Sequence, residues 1–150
     1  IAGACSRTFT VVAKKEVEHI PFLKQVFACI HALFMDRENL RQSMQVINEA
    51  ADVVKDGKNI ILFPEGTRSR KGNQLLECKS GSFKIAVKAK CPIVPVALKN
   101  CFVPFDSNTI RPVTVEVHFL DPIPYEEYQG MKTTEIAEMV KKRIEAVVTA

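Results

Sequence analysis

The spacing of hydrophobic residues alternates along the chain between the periods of helices and of strands. Apolar residues at positions 40, 44, 47, 51 and 54 recur at steps of three and four, which predicts an amphipathic helix that ends at Gly57. Residues 21–33 have helical length with apolar side chains on nearly every face, so this helix is expected to be buried or to contact a lipid surface. Thr134 is a candidate cap of a last helix, whose predicted core face is Ile136, Val140, Ile144 and Val147.

Short apolar or alternating segments predict strands at residues 8–12, 59–63, 93–98 and 113–119, with a short helix at residues 80–89. The second strand is a continuous apolar run closed by Pro64, which predicts burial on both faces. Pro95 indicates that the third strand lies at an edge or is irregular. The fourth strand alternates apolar and polar residues and is predicted to be half-buried, with His118 on its polar face. Strands that alternate with helices indicate an α/β domain.

Composition is compatible with one globular domain over residues 1–150. Of the 150 residues, 47% are hydrophobic and 25% are charged, which excludes a disordered or collagen-like chain. The longest nearly uncharged apolar stretch, residues 26–35, is too short to span a bilayer. Five cysteines without a C-x-x-C pair predict reduced thiols and a cytoplasmic setting. Because the chain begins at Ile1 without a Met or a signal pattern, we expect an excised piece whose N-terminal neighbour is missing.

Positive charge is concentrated in residues 68–90. This window has seven basic residues and one acidic residue, a charge of +6, so the remainder of the +4 chain carries −2. Such a window predicts an anionic partner, which is a phosphate, an acidic protein or a membrane surface. The alternative is that Lys84, Lys88 and Lys90 form a solvated helix face. Nucleic acid is disfavoured because Phe83 is the one aromatic residue in the window.

The segment Phe-Pro-Glu-Gly-Thr-Arg-Ser-Arg, residues 63–70, begins where a buried strand is predicted to end. Ligands of open α/β sheets bind outside the carboxyl ends of strands. Gly66 allows close backbone approach, Thr67 offers a hydroxyl and an amide, and Arg68 offers a planar fork of donors suited to phosphate or carboxylate oxygens. Glu65 cannot bind an anion, but it can orient an arginine. The alternative is a surface turn with a solvated arginine.

This segment resembles the F-P-E-G-T-R-S signature of the glycerophospholipid acyltransferase family, typified by 1-acylglycerol-3-phosphate acyltransferase. Three further segments match that family in the same order: Phe-Met-Asp-Arg at 34–37, Lys-Ser-Gly-Ser-Phe-Lys-Ile-Ala at 79–86, and Cys-Pro-Ile-Val-Pro-Val-Ala at 91–97. The resemblance covers roughly residues 9–117. It implies an α/β fold with a mixed central sheet flanked by helices, similar to glycerol-3-phosphate acyltransferase.

The resemblance also implies an activity, the transfer of a fatty acyl group from acyl-carrier protein or coenzyme A to the free hydroxyl of a lysophospholipid such as 1-acylglycerol-3-phosphate. The product would be phosphatidic acid. Arg37 and Arg68 would contact the phosphate of the acceptor, and Glu65, Gly66 and Thr67 would shape that pocket. Residues 93–96 would pack beneath the pocket or line the acyl path. No metal or redox cofactor is expected, because the thioester is already activated.

The family's first block, a His followed five residues later by an Asp, is expected upstream of Ile1. In the family that His is the general base and the Asp orients its imidazole. His31 and Asp36 have the same spacing, but Ile30 replaces the usual Asn and Asp36 already belongs to the second block. We therefore interpret His31 as a buried or interfacial histidine of an apolar helix, and His19 and His118 as surface histidines.

The expected partners are a lysophospholipid acceptor, a thioester donor and the cytoplasmic face of a membrane, reached peripherally or through the missing N-terminal region. Three alternatives stay open. The first is a family member with another lipid acceptor, the second is a noncatalytic domain that binds anions or a lipid surface, and the third is a nucleic-acid-binding module.

Overall fold

The computed structural model describes residues 8–36, 38–106 and 112–149, and these form two compact units. Residues 8–63 and 82–91 form one unit, called here the parallel-sheet unit. Residues 64–81 and 92–149 form the other, called the antiparallel-sheet unit. A compact unit is not by itself a domain that folds alone, so the single domain over residues 1–150 stays a prediction.

The parallel-sheet unit contains three strands, β1 (Phe9–Lys14), β2 (Leu33–Met35) and β3 (Asn59–Ile61), in the order β2-β1-β3. Both pairings are parallel, so the carboxyl ends of all three strands lie at one edge of the sheet. The helices of this unit are α1 (Pro21–Cys29), α2 (Leu40–Lys55) and α3 (Lys84–Ala89), and a 3₁₀ turn (Lys15–His19) follows β1.

Helix α2 supplies most of the core of this unit. Its buried residues pack with Val12 of β1 and Ile85 of α3, and they are Val46, Ile47, Ala50 and Ala51. The predicted apolar stripe is thereby confirmed at its centre, whereas Leu40 in the first turn is 79% exposed. Gly57 adopts a φ of +84°, the left-handed conformation that ends helices and that glycine adopts without a steric penalty.

The antiparallel-sheet unit pairs β4 (Val96–Lys99) with β5 (Glu116–Phe119). It also contains the short helices α4 (Val103–Asp106) and α5 (Tyr125–Tyr128) and the long helix α6 (Thr133–Val148). A backbone bridge between Ile93 and Ile123 extends the pairing beyond β4. The most deeply buried residues of this unit come from β4, α5, α6 and the segment between β5 and α5, and they are Ala97, Tyr128, Ile136, Val140 and Ile123.

The α/β class is confirmed, with parallel and antiparallel pairings in separate sheets. In the part of the chain that the structure describes, no helix is both long enough and apolar enough to cross a bilayer.

The helix predicted over residues 21–33 is shorter than expected. Helix α1 ends at Cys29, His31 adopts a left-handed φ of +50°, and Leu33 begins β2. Pairing of Leu33–Met35 with β1, together with packing of Leu33 on the core, outweighs the local preference for helix. No residue of α1 is buried in the described chain, and Phe22 is 75% exposed, so of the two alternatives given for this helix the buried one is wrong.

The burial predicted for two strands is also wrong. The strand predicted over residues 59–63 is shorter in the structure, where β3 ends at Ile61. Ile60 and Leu62 pack against the core, while Ile61 is half-buried and Phe63 is 51% exposed. On β5 and the segment before it, Val113, Val115 and Phe119 are exposed. Alternation shows which residues share a face of a strand, but only a covering element decides whether that face is buried.

Helix α6 begins one residue before the predicted cap. The structure places Lys132 at the cap position, where its backbone N–H donates to Oε2 of Glu135 at 2.7 Å. Thr134 is therefore inside the helix, and the acidic side chain at the third helical position does the capping. The predicted core face is confirmed at Ile136 and Val140.

Candidate functional site

Residues 64–79, called here the 64–79 loop, carry the motif that the sequence analysis singled out. The loop closes on itself at its two ends, because the backbone N–H of Lys79 donates to the carbonyl oxygen of Pro64 at 2.8 Å. Next to this contact, the backbone N–H of Leu76 donates to Oε2 of Glu65, also at 2.8 Å. A charged acceptor gives the second bond more strength than a neutral pair would have. The base of the loop is thus fixed by two bonds within the loop itself.

Glu65 is half-buried and its carboxylate faces the interior of the loop. Burial, and after it the negative charge of Glu65, raises the pKa of the Cys78 thiol to about 11. An unpaired charge in this position would be costly, and the Leu76 N–H partly compensates it. Glu65 was predicted to shape the pocket, and the structure places it as a residue that holds the backbone of the loop.

Gly66, Thr67 and Arg68 follow on the outer part of the loop. Gly66 has a φ of +75°, a left-handed conformation that would strain other residues, and it lets the chain turn sharply after Glu65. Thr67 and Arg68 are exposed to solvent. The motif predicts a planar fork of donors at Arg68 and a hydroxyl at Thr67 for an anionic ligand, and their role in binding stays a prediction.

The second block leaves the sheet at the carboxyl end of β2. Gln42 of α2 holds the backbone there with both ends of its side-chain amide, accepting from Asp36 N at 2.8 Å and donating to the Phe34 carbonyl at 2.9 Å. The Ser43 hydroxyl donates to the carbonyl of Asp36 at 2.7 Å. Arg37, the other predicted phosphate contact, lies outside the described residues, and its role stays a prediction.

His31 and Asp36 do not form a catalytic pair. His31 lies before β2 and Asp36 lies after it, and the three extended residues of β2 span roughly 10 Å. The Asp36 carboxylate instead accepts from the backbone of Glu38 at 3.1 Å and lies 3.6 Å from Nζ of Lys15. His31 is exposed and lies outside α1, so its interpretation as a histidine on an apolar helix is corrected.

His118 has a partner that the sequence analysis missed. Its Nε2 lies 2.8 Å from Oε2 of Glu116, two residues earlier on β5. Residues two apart on a strand share a face, and that spacing was the available signal. His19 is exposed in the 3₁₀ turn, as predicted for a surface histidine.

The basic window divides between a loop and a helix. Arg68, Arg70, Lys71 and Lys79 lie on the 64–79 loop, and Lys84 and Lys88 lie on α3; all are exposed. The Lys88 ammonium donates to Oδ1 of Asn48 on α2. The alternative of a solvated helix face therefore describes Lys84 and Lys88 of α3, whereas the other four side chains lie on the loop.

Among residues 8–36, 38–106 and 112–149, no three His, Cys, Asp or Glu side chains are grouped to hold a metal ion. Four cysteines of these segments are without disulfide bonds: Cys29, Cys78, Cys91 and Cys101.

The chain is similar to known acyltransferases. The sequence model of the Acyltransferase family matches residues 1–99. The 1-acyl-sn-glycerol-3-phosphate acyltransferase of Limnanthes douglasii is 36% identical over 132 residues, covering 86% of this chain and 47% of the relative. The enzyme of the same name from Borreliella burgdorferi is 32% identical over 145 residues, covering 93% of this chain and 58% of the relative.

A solved structure has the same fold. The crystal structure of the 1-acyl-sn-glycerophosphate acyltransferase PlsC from Thermotoga maritima superimposes with a TM-score of 0.74 at 26% identity, covering 95% of this chain and 56% of that one. The chain thus spans about half the length of the curated relatives it matches.

Proposed function

Because this chain belongs to the Acyltransferase family, we propose that the protein carrying it transfers a fatty acyl group from a thioester to the free hydroxyl of 1-acylglycerol-3-phosphate. The observation that carries the proposal is the 64–79 loop, a fixed loop that presents Thr67 and Arg68 to solvent. The hydroxyl oxygen attacks the thioester carbonyl, a C–O bond forms and the C–S bond breaks. The hydroxyl proton leaves through a base and reaches the departing thiol. The products are phosphatidic acid and the free thiol carrier.

The role of Arg68 is to bind the phosphate of the acceptor. A bidentate arginine holds two phosphate oxygens in one plane and so fixes the orientation of the glycerol and its hydroxyl. Arg37 supplies the second positive charge in this proposal. Glu65 and Gly66 hold and turn the backbone on which Arg68 and Thr67 are placed.

The general base lies outside these 150 residues in our proposal. The geometry of His31 and Asp36 is unsuitable, and the family's His and Asp block has no other counterpart in the sequence. Neither a metal nor a redox cofactor enters the reaction, since the thioester already activates the carbonyl. Acyl-carrier protein and coenzyme A are both suitable donors.

The proposal is tested by substituting Arg68 and Arg37 in the protein that carries this chain. Charge-assisted bonds to an anion contribute about 1.5–3 kcal/mol, so Arg68→Ala and Arg37→Ala are expected to lower kcat/KM for the acceptor by roughly tenfold to a hundredfold. The KM for the acyl donor should change little. Arg68→Lys should recover part of the loss, since a point charge does not replace a planar fork.

Two control variants sharpen this test. Lys71→Ala removes a neighbouring exposed charge from the same loop and should retain most of the acceptor efficiency. His31→Ala should retain full turnover, whereas loss of a positioned base costs about 10²–10⁴-fold. Unchanged acceptor kinetics in both arginine variants would contradict the proposal. A higher kcat/KM for other lysophospholipids than for 1-acylglycerol-3-phosphate would show that the protein is a family member with another lipid acceptor.

We place the protein peripherally at the cytoplasmic face of a membrane, where a lysophospholipid acceptor resides. Support comes from α1 and the residue before it, where Ile20, Phe22 and Val26 are exposed. Lys24 of the same helix is exposed as well and suits an anionic lipid surface. The four cysteines without disulfide bonds are consistent with a reducing compartment.

A further inference from the structure

Two asparagines, Asn73 and Asn100, attach the 64–79 loop to the end of β4. Nδ2 of Asn73 donates to Oδ1 of Asn100 at 3.1 Å, and the backbone N–H of Asn100 donates to Oδ1 of Asn73 at 2.8 Å. Both bonds are partly buried. Asn73 thus uses both atoms of its amide on one partner, and the two bonds together form what we call the asparagine clamp.

Asn100 is suited to this contact by its backbone. It directly follows β4 and has a φ of +61°, a left-handed conformation that Asn adopts more readily than most residues. The turn places its N–H and its side chain toward Asn73. The strand ladder with β5 fixes β4, so the clamp attaches the loop to a rigid element.

Along the chain, Arg68 lies between Glu65 of the loop base and Asn73 of the clamp. Glu65 is attached three residues before Arg68, and Asn73 is attached five residues after it. Between these attachments the chain has left-handed φ values at Gly66, Arg70 and Gly72. Gly72 lies against the ring of Phe102, where an added Cβ would be 3.7 Å from the ring.

A segment of this kind needs an attachment on both sides to keep one conformation. Ordering the backbone of each residue costs conformational entropy, and residues 66–72 bury little apolar surface that would offset this cost. A binding group has to be held to within about 0.5 Å of its productive position.

We propose that Asn73 and Asn100 are positioning residues, which hold the 64–79 loop so that Arg68 meets the phosphate of the acceptor. The proposal rests on the proposed function. Neither asparagine contacts substrate in it, and their effect on catalysis is transmitted through the conformation of the loop.

The first experiment measures steady-state kinetics of variants in the protein that carries this chain. Asn73→Ala removes both bonds and is expected to raise the KM for 1-acylglycerol-3-phosphate about tenfold, with less than a twofold change in kcat and in the donor KM. Asn100→Asp keeps the acceptor oxygen and the backbone N–H and should behave like the unaltered protein. Gln74→Ala, at the exposed neighbouring position, is the matched control.

The second experiment follows the loop without any substrate. Trypsin cleaves after Arg68, Arg70 and Lys71, all of which are exposed. Asn73→Ala should accelerate cleavage at these sites about tenfold at a temperature well below its unfolding midpoint, while Gln74→Ala and Asn100→Asp should not. Unchanged cleavage in Asn73→Ala would overturn the proposal.

The two experiments separate this proposal from the proposed function. If Arg68→Ala raises the acceptor KM but Asn73→Ala does not, the positioning role alone is refuted. If Arg68→Ala leaves the acceptor KM unchanged, the phosphate assignment fails, and the positioning role fails with it. Faster cleavage of Asn73→Ala, together with a raised acceptor KM in Asn73→Ala and Arg68→Ala, supports the positioning role and the phosphate assignment.

Discussion

At the scale of single residues, Cys78 reports on the interior of the 64–79 loop. The thiol is half-buried, and burial, followed by the charge of Glu65, raises its pKa from 9.0 to about 11. Only the thiolate reacts with alkylating agents. The rate at which Cys78 is alkylated therefore depends on how deeply the loop buries the thiol and on how close the Glu65 carboxylate is to it.

We predict that Cys78 is alkylated slowly until the pH is far above the usual range for a thiol. At pH 9 an ordinary thiol is half ionised, whereas one with a pKa near 11 is about 1% ionised, so iodoacetamide should react with Cys78 about fifty-fold more slowly. Exposed Cys101 serves as the internal control in a peptide-resolved mass measurement. Glu65→Gln should move the midpoint to lower pH, since it removes a negative charge that disfavours the thiolate.

The raised pKa of Cys78 also makes the free energy of unfolding depend on pH. The folded thiol keeps a proton that the unfolded thiol loses, so the contribution of Cys78 to stability is unchanged below about pH 9 and falls as the pH rises towards 11. Equal alkylation rates for Cys78 and Cys101 at pH 9 would show that the loop does not enclose the thiol.

At the scale of elements, the first turn of α2 holds the end of β2. Asn39 caps the helix, accepting from the backbone of Gln42 at 3.0 Å. The side chain of Gln42 then spans to the backbone of Phe34 and of Asp36. Hydrogen bonds therefore join the end of β2 to the start of α2, and they fix the backbone of the second block at Phe34 and Asp36.

We predict that Gln42→Ala lowers the free energy of unfolding by about 1–3 kcal/mol. Two partly buried hydrogen bonds are lost, each worth about 0.5–1.5 kcal/mol, and helix propensity is unchanged or slightly improved. Gln45→Ala makes the same chemical change at an exposed position of the same helix and should change stability by less than about 0.5 kcal/mol. Urea unfolding checks this, and equal midpoints for the two variants would contradict it.

At the scale of the whole molecule, we predict that the protein binds vesicles through α1. Phe22 and Val26 have little cover in the described chain, and inserting an apolar side chain of this size contributes about 1.5–3 kcal/mol. The double variant Phe22→Ala, Val26→Ala should therefore lower the partition onto vesicles at least tenfold in co-sedimentation. Leu40→Ala, at an equally exposed apolar position on α2, is the matched control.

Salt and lipid composition separate the two contributions to vesicle binding. The electrostatic part weakens as salt rises, because exposed charges are screened over about 8–10 Å at physiological ionic strength, while apolar insertion persists. Binding that needs anionic lipid and vanishes at high salt would assign the contact to basic residues alone. A protein that stays in the supernatant under every condition would contradict contact through α1.

Local sequence already determined much of this protein. The core stripe of α2, its end at Gly57 and the core face of α6 at Ile136 and Val140 were predicted, since periodicity and a left-handed glycine act within a few positions. The motif also identified Arg68, which is exposed, and its contact with a phosphate stays a prediction. Family membership followed from the order of four short blocks.

Features that depend on contacts between distant parts of the chain could not be predicted from local sequence. Leu33 belongs to a strand because β1 offers it backbone partners, and Phe119 is exposed because no described element covers it. The asparagine clamp joins residues 27 positions apart, and no local sequence pattern indicates that these two residues pair. A hydrogen bond or a buried face needs two surfaces brought together, and the sequence specifies the chemistry of each surface without showing which other surface it will meet.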